Sequence, residues 1–443
     1  MISSSIKVSV IMPSLNVVEY IDECMQSVLA QTLNDIEILA IDAGSTDGTW
    51  EKLQEYSQRD DRIKLIRSDI KSYGYQVNLG IKTARGKYIG IVETDDYIDS
   101  DMYSCLYTIA EENDVDMIKA DFDSFYVSKN GEKILSRSYL FDNDKKDNYN
   151  KCIDPRMISY LYVYDCFIWK GLYNREFLLN NKIFLNESKG AAYQDVGFSH
   201  LVHACCQKAY YSDRSFYRYR KDREGSSINS DKGLIYDKDE FERLINDKDI
   251  SSRLVCREAL YLHIKVVYIN ELKRALRANA YNIYDDNIKP YYEWFRNMFL
   301  PIVGENELCR NIHFHEIAQA VYDIDGFVNE LKKSDEIQEK IRGYYIDRLS
   351  GKDVVVFGAG KKGKSMISYL RQSTVDITVS AVCDNNKKIW GTDCNGYTVL
   401  SPMECIEQNT DNAFIVANKY HKFEIVAQLL EAGIPTDRIL ESI

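Results

Sequence analysis

Apolar and polar positions along the first hundred residues set strand against helix. Ile6 to Met12 alternates and stops at Pro13-Ser14-Leu15-Asn16, which predicts a first strand. Val18, Ile21, Met25, Val28 and Leu29 then recur at helical spacing. A second strand is predicted over Ile36–Ile41, ending at the run DAGSTDG from Asp42 to Gly48. The next helix is expected over Thr49–Ser57, with Thr46 or Asp47 as its cap. A third strand follows over Ile63–Ile66, a helix over Gly74–Ala84, and a fourth strand over Lys87–Val92 that stops at Glu93-Thr94-Asp95-Asp96. This alternation predicts a parallel α/β sheet. The carboxyl ends of its strands share one edge, where ligands bind in such sheets. SLN, DAGSTDG and ETDD are therefore expected to build one site, with the acids of ETDD converging on it.

Farther on, Asp101–Tyr126 reads as helix then strand, and Lys129–Asn150 as a loop or hairpin. Phe167–Phe184 reads as a packed helix, followed by a polar stretch from Asn186 and a helical run to Ala209. From 230 to 350 helical patterns dominate with few glycines, which reads as a spacer or an interaction platform. Lys352 begins an α/β pattern again. A strand over Val354–Phe357 leads to Gly358-Ala359-Gly360-Lys361-Lys362-Gly363, a helix to Leu370, and a strand over Ser380–Cys383 ending at Asp384. An acid about 20 residues beyond the last glycine is where a ribose-binding acid would stand. Three segments are thus expected: 1–229, 230–350 and 351–443.

Composition narrows the function classes. The net charge of −12 argues against non-specific nucleic-acid binding, which needs basic surface. No apolar run approaches the roughly 18–20 residues that span a bilayer. The N-terminus lacks a signal peptide's basic start and cleavage site, so a cytoplasmic location is expected. Eleven scattered cysteines, with no C-x-x-C pair, fit reduced thiols rather than a disulfide framework.

The chemistry begins with the acids. Carboxylates at a sheet edge can hold a divalent cation, and a cation can hold a diphosphate. VSVIMPSLN, EILAIDAGSTDGT, NLGIKTARGKYIGIVETDD, WKGLYNREF, AAYQDVGF and YRYRKDREGSSI occur in this order. From about Ile6 to Asn229 the chain resembles the inverting glycosyltransferases of family 2, which have the GT-A fold. The resemblance implies a nucleotide-sugar donor, typically a UDP-sugar, and a saccharide or lipid-linked saccharide acceptor for a bacterial surface glycan such as a capsule. It implies that Pro13 starts the loop around the donor base, that Asp42 accepts a hydrogen bond from the base, and that Gln76 lies on a donor-side helix. Glu93 and Thr94 would lie near the ribose, and Asp95 would take Mn²⁺ or Mg²⁺. Arg220, Ser226 and Ser227 would face the diphosphate. Asp195, in the pair Gln194-Asp195, would be the general base. Three positions depart from the family pattern: Glu93 stands for the usual aspartate, Gln194 for the usual acid, and Ala43 for an acid or asparagine.

The C-terminal segment resembles the Rossmann-like domains appended to bacterial capsule and polysaccharide enzymes. A peripheral place at the inner face of the membrane and self-association are both compatible with this reading. The rival readings are an NAD(P)-type oxidoreductase centred on Gly358–Asp384, a nucleotidyltransferase, and a non-catalytic nucleotide-sugar-binding scaffold.

Overall fold

The computed structural model describes residues 6–127, 133–141, 143–223, 233–252, 257–300, 314–372, 377–409, 411–418 and 421–442. The chain forms two compact units, Met1–Lys133 with Arg137–Val328, and Ile134–Ser136 with Asn329–Ile443.

The strands up to residue 220 are β1 (Val8–Ser14), β2 (Ile36–Asp42), β3 (Ile63–Arg67), β4 (Tyr88–Ile91), β5 (Tyr97–Ile98), β6 (Met117–Val127), β7 (Lys133–Ser138), β8 (Cys152–Ile153), β9 (Gly171–Asn174) and β10 (Ala209–Arg220). Their main sheet runs β3-β2-β1-β4-β9-β6-β10-β5. The expected parallel half is present, since β1 pairs in parallel with β2 and β4, and β2 with β3. Every residue of β1, β2 and β4 is buried, as near-continuous apolar strands covered on both faces should be.

The other half is mixed. β9 runs antiparallel between β4 and β6, β10 runs parallel to β6, and β5 runs antiparallel to β10. Here the expected helix over Phe167–Phe184 gives way to strand β9 and the short helix α6. A short apolar run does not distinguish strand from buried helix. The helix begins only where the Asn174 side chain accepts a hydrogen bond from the Phe177 N–H.

Among the described residues, the helices α1 (Ile21–Leu29), α2 (Thr49–Ser57), α3 (Tyr73–Thr83), α4 (Met102–Asn113), α5 (Ser159–Tyr164), α6 (Arg175–Asn180) and α7 (Gln194–Cys205) accompany this sheet. Helices α8 (Gly233–Asn246), α9 (Lys248–Ser251), α10 (Arg257–Ala278), α11 (Lys289–Phe299) and α12 (Phe314–Tyr322) follow. Residues 230–328, expected as part of a separate helical region, belong to the first unit. There α8 packs on α7, and α10 packs on α5 and α8.

After α13 (Ile324–Leu349), the second unit forms its own sheet of β11 (Lys352–Phe357), β12 (Ile377–Cys383), β13 (Asp393–Cys394), β14 (Tyr397–Leu400), β15 (Ala413–Val416) and β16 (Ile439–Glu441). The order is β13-β14-β12-β11-β15-β16, all parallel except β13. The glycine run joins β11 to helix α14 (Lys361–Gln372) as expected. Asp384 accepts hydrogen bonds from the Ala359 N–H at 2.8 Å and the Asn386 N–H at 2.8 Å, so both its oxygens brace the loops at this edge. Among the described residues, no helix is long and apolar enough to cross a membrane.

Candidate active site

The parallel strands deliver their ends to one edge. Asp42, the last residue of β2, is fully buried. Its Oδ2 accepts from the N–H groups of Gly44 and Ser45 and from Arg67, at 2.9–3.1 Å. Its Oδ1 has no hydrogen-bond partner among the described residues. Arg67 lies 3.7 Å from the centre of the Trp50 ring, which flanks the same edge. Gln76, on α3, donates its amide to the carbonyls of Ser14 and Ile41, tying β1 to β2. Pro13 accepts at its carbonyl from the Thr94 hydroxyl, at 2.9 Å. Thr94 therefore fixes the SLN loop to ETDD.

The acids of ETDD lie close enough to feel one another's charge, yet each has a different hydrogen-bond partner. Asp96 turns inward, buried, and accepts from the Tyr217 hydroxyl at 2.8 Å and the Arg220 N–H at 2.7 Å. The Tyr217 oxygen in turn accepts from the Glu93 N–H at 3.0 Å. Asp96 thus welds the motif to β10. Glu93 receives the hydroxyl of Tyr73, the first residue of α3. Asp95 pairs with Arg223 at 2.8 Å. Beneath them Trp169 stacks on Tyr217 and Tyr219, with ring centres 4.1 and 5.2 Å apart.

Asp195 lies in the first turn of α7. Its neighbour Gln194 is buried and donates to Ser188 and to the Gly190 carbonyl. Gly190 accepts in turn from the Tyr73 N–H at 2.9 Å. The base candidate and the acidic motif are therefore linked through one loop. Gly74 makes this approach feasible: a Cβ there would lie 1.9 Å from the Asn186 carbonyl oxygen.

The charges behave as one site. Burial pushes Asp195 up to about 6, against the pull of backbone N–H groups and Lys119. Burial pushes Glu93 up to about 8, and the charges of Asp95 and Asp195 add to it, against the Tyr73 hydrogen bond. Burial, with Asp95 and Glu93 nearby, also raises Asp96 well above the carboxylate range.

Residues 9–168 match the model of the glycosyl transferase family 2. These residues form a family 2 glycosyltransferase domain. The domain carries β1 to β4 and the whole ETDD motif. The glycosyltransferase EpsJ of Bacillus subtilis is 31% identical over 220 residues, 48% of this chain and 61% of EpsJ. Glycosyltransferase GlyG of Streptococcus pneumoniae is 26% identical over 274 residues, 60% of this chain and 86% of GlyG. The chain thus spans less than two thirds of EpsJ's own length. The first unit has a GT-A-like fold. A crystal structure of S. aureus TarS, residues 1–349, matches at a TM-score of 0.50 and 17% identity, covering 74% of this chain and 91% of that one. Residues 350–440 match a second model, described as C2185-like, N-terminal.

Around the family 2 domain the expected cations divide. Arg220 is committed to the protein: it reaches Glu23 at 2.6 Å, the Asp95 carbonyl at 3.0 Å and Asp222 at 3.3 Å. Ser226 and Ser227 lie outside the described residues. Arg223 was not singled out in the sequence, although it reaches Asp95. In YRYRKDR nothing in the pattern separates it from Arg218 and Arg220. Its place just past the end of β10 and its contact with Asp95 do so only in three dimensions.

Among the described residues, no group of three or more His, Cys, Asp or Glu side chains is arranged to hold a metal. Asp95 nevertheless suits a hard cation. It is a partly exposed carboxylate in contact with Arg223, and a Mg²⁺-like ion needs one or two carboxylates when phosphates and water complete its shell.

Proposed function

We propose that the first unit transfers a sugar from a nucleoside diphosphate sugar, a UDP-sugar, to a hydroxyl of a saccharide or lipid-linked saccharide, with inversion at the anomeric carbon. The observation that carries this reading is Asp195. It stands at a helix start, linked through Gly190 and Tyr73 to the acidic motif, and burial holds it near 6. Such a carboxylate is mostly ionised at neutral pH, yet more basic than an exposed one, which is what a general base needs.

In this reading the acceptor oxygen attacks the anomeric carbon as the bond to the diphosphate oxygen breaks. Asp195 takes the hydroxyl proton, and the nucleoside diphosphate leaves with the bonding electrons. The partnerless Oδ1 of Asp42 suits a base N–H such as that of uracil. Asp95 would hold Mn²⁺ or Mg²⁺, which would neutralise the departing diphosphate. Arg223 would lend positive charge beside it.

The test is a donor screen with UDP-, GDP- and CDP-sugars and Mn²⁺, read as released nucleotide and repeated with EDTA. UDP-sugar turnover that EDTA abolishes is expected. No release from any donor overturns the transferase reading, and full activity in EDTA overturns the metal assignment.

A further inference from the structure

The helices after the family 2 domain reach the back of the base. Asp195 follows Tyr193, a non-glycine residue with φ of 62°, in the left-handed region. Such a backbone persists only where its surroundings hold it. The leading segment is clamped from one side by α3, where Asn78 bonds both the N–H and the carbonyl of Leu185 at 2.9 Å.

The opposite clamp comes from α8. Glu240, 2% exposed, accepts from the Asn186 amide at 2.8 Å and from Arg243 at 3.0 Å. Arg243 also donates to the Phe184 carbonyl at 3.3 Å. A Cβ on Gly197 would lie 1.8 Å from Glu240 Oε1, so the carboxylate rests on the backbone of α7 two residues past Asp195. From α10, His263 bonds His200 of α7 at 2.9 Å.

We propose that Glu240 is a positioning residue for Asp195. It fixes both the first turn of α7 and the segment that feeds it, which makes the helices after residue 230 part of the transfer machinery. This rests on Asp195 being the base. A purely stabilising buried ion pair would leave turnover per folded molecule unchanged. A positioning contact would not, because a misplacement of about 1 Å at a reacting group costs on the order of 100-fold.

The experiment compares Glu240→Ala and Glu240→Gln in the full chain by donor kinetics and by amide hydrogen exchange. Glu240→Ala is expected to lower kcat ~10–100-fold, with donor KM little changed and faster exchange confined to residues 184–197. Glu240→Gln, which keeps an acceptor oxygen for Asn186, is expected to restore most of kcat. Unchanged kcat in Glu240→Ala, or a loss accompanied by exchange throughout the unit, overturns the proposal. Should Glu240→Ala not fold, Gly197→Ala probes the same contact, and full kcat there overturns it too. The exchange pattern reads the clamp without turnover. Failure of the base assignment, seen as transfer retained in Asp195→Asn, is therefore distinguishable from failure of the clamp.

Discussion

Asp165 and Asp195 lie in the same unit and differ in exposure, the first fully buried and the second partly so, and in their company. Asp165 is fully buried, with Lys170 at 2.9 Å, Lys119 at 3.0 Å and His203 at 3.1 Å. The Tyr211 hydroxyl donates to it at 2.9 Å. Burial opposes its ionisation, yet Lys119 and Lys170 hold it far below the usual carboxylate range. Among the described residues no ammonium pairs with Asp195, and burial alone moves it upward. A carboxylate saturated with cations is a structural joint. One left electrically unbalanced keeps affinity for a proton or a cation that a ligand brings.

The comparison breaks or sharpens under substitution. Asp195→Asn is expected to lower transfer by ~10²–10⁴-fold while donor binding, followed by calorimetry, persists. Because the folded state holds that proton more tightly than the unfolded chain, ionisation of Asp195 costs stability as pH rises from about 4 to about 6. The amide removes this cost, so Tm at pH 8 is expected to stay level or rise by ~1–3 °C. Retained transfer would move the base elsewhere, and a large fall in Tm would erase the contrast.

Asp165→Asn should do the reverse. It strands two buried ammonium groups and is expected to cost about 3–5 kcal/mol in urea denaturation, with little change in donor KM for whatever protein remains folded. Gln76→Leu removes two bonds to strand carbonyls, at an expected cost of about 1–3 kcal/mol. A raised donor KM at unchanged stability would speak for a donor-side role of Gln76. The smallest effect is in pH. Transfer should rise with pH through about 6, as Asp195 ionises, and level off above it. A falling limb over that range would contradict a carboxylate base.

Much of the edge was legible beforehand, because β1, β2 and β4 are apolar runs with abrupt polar ends and those ends are local facts. Asp195 was reached only through family resemblance. Its position depends on Gln194, Gly190 and Tyr73, whose contacts span more than a hundred residues. The antiparallel β9 was hidden by an apolar stretch too short for periodicity to settle. The division of labour within ETDD was equally invisible, since it is Tyr217, 121 residues away from Asp96, that turns that acid inward. Lys119 in MIKADF and Lys170 in FIWKGLY, each an ammonium beside apolar residues, were the local signs of the saturated cluster.

Gly74 bears on how this protein would tolerate inherited change. No side chain fits between it and the Asn186 carbonyl, so even alanine would push α3 and the segment before α7 apart. A map of harmful substitutions would therefore mark Gly74 as sharply as the acids themselves. Sensitivity to mutation would outline the seam that joins the two halves of the site, and would not by itself tell which residues touch the sugar.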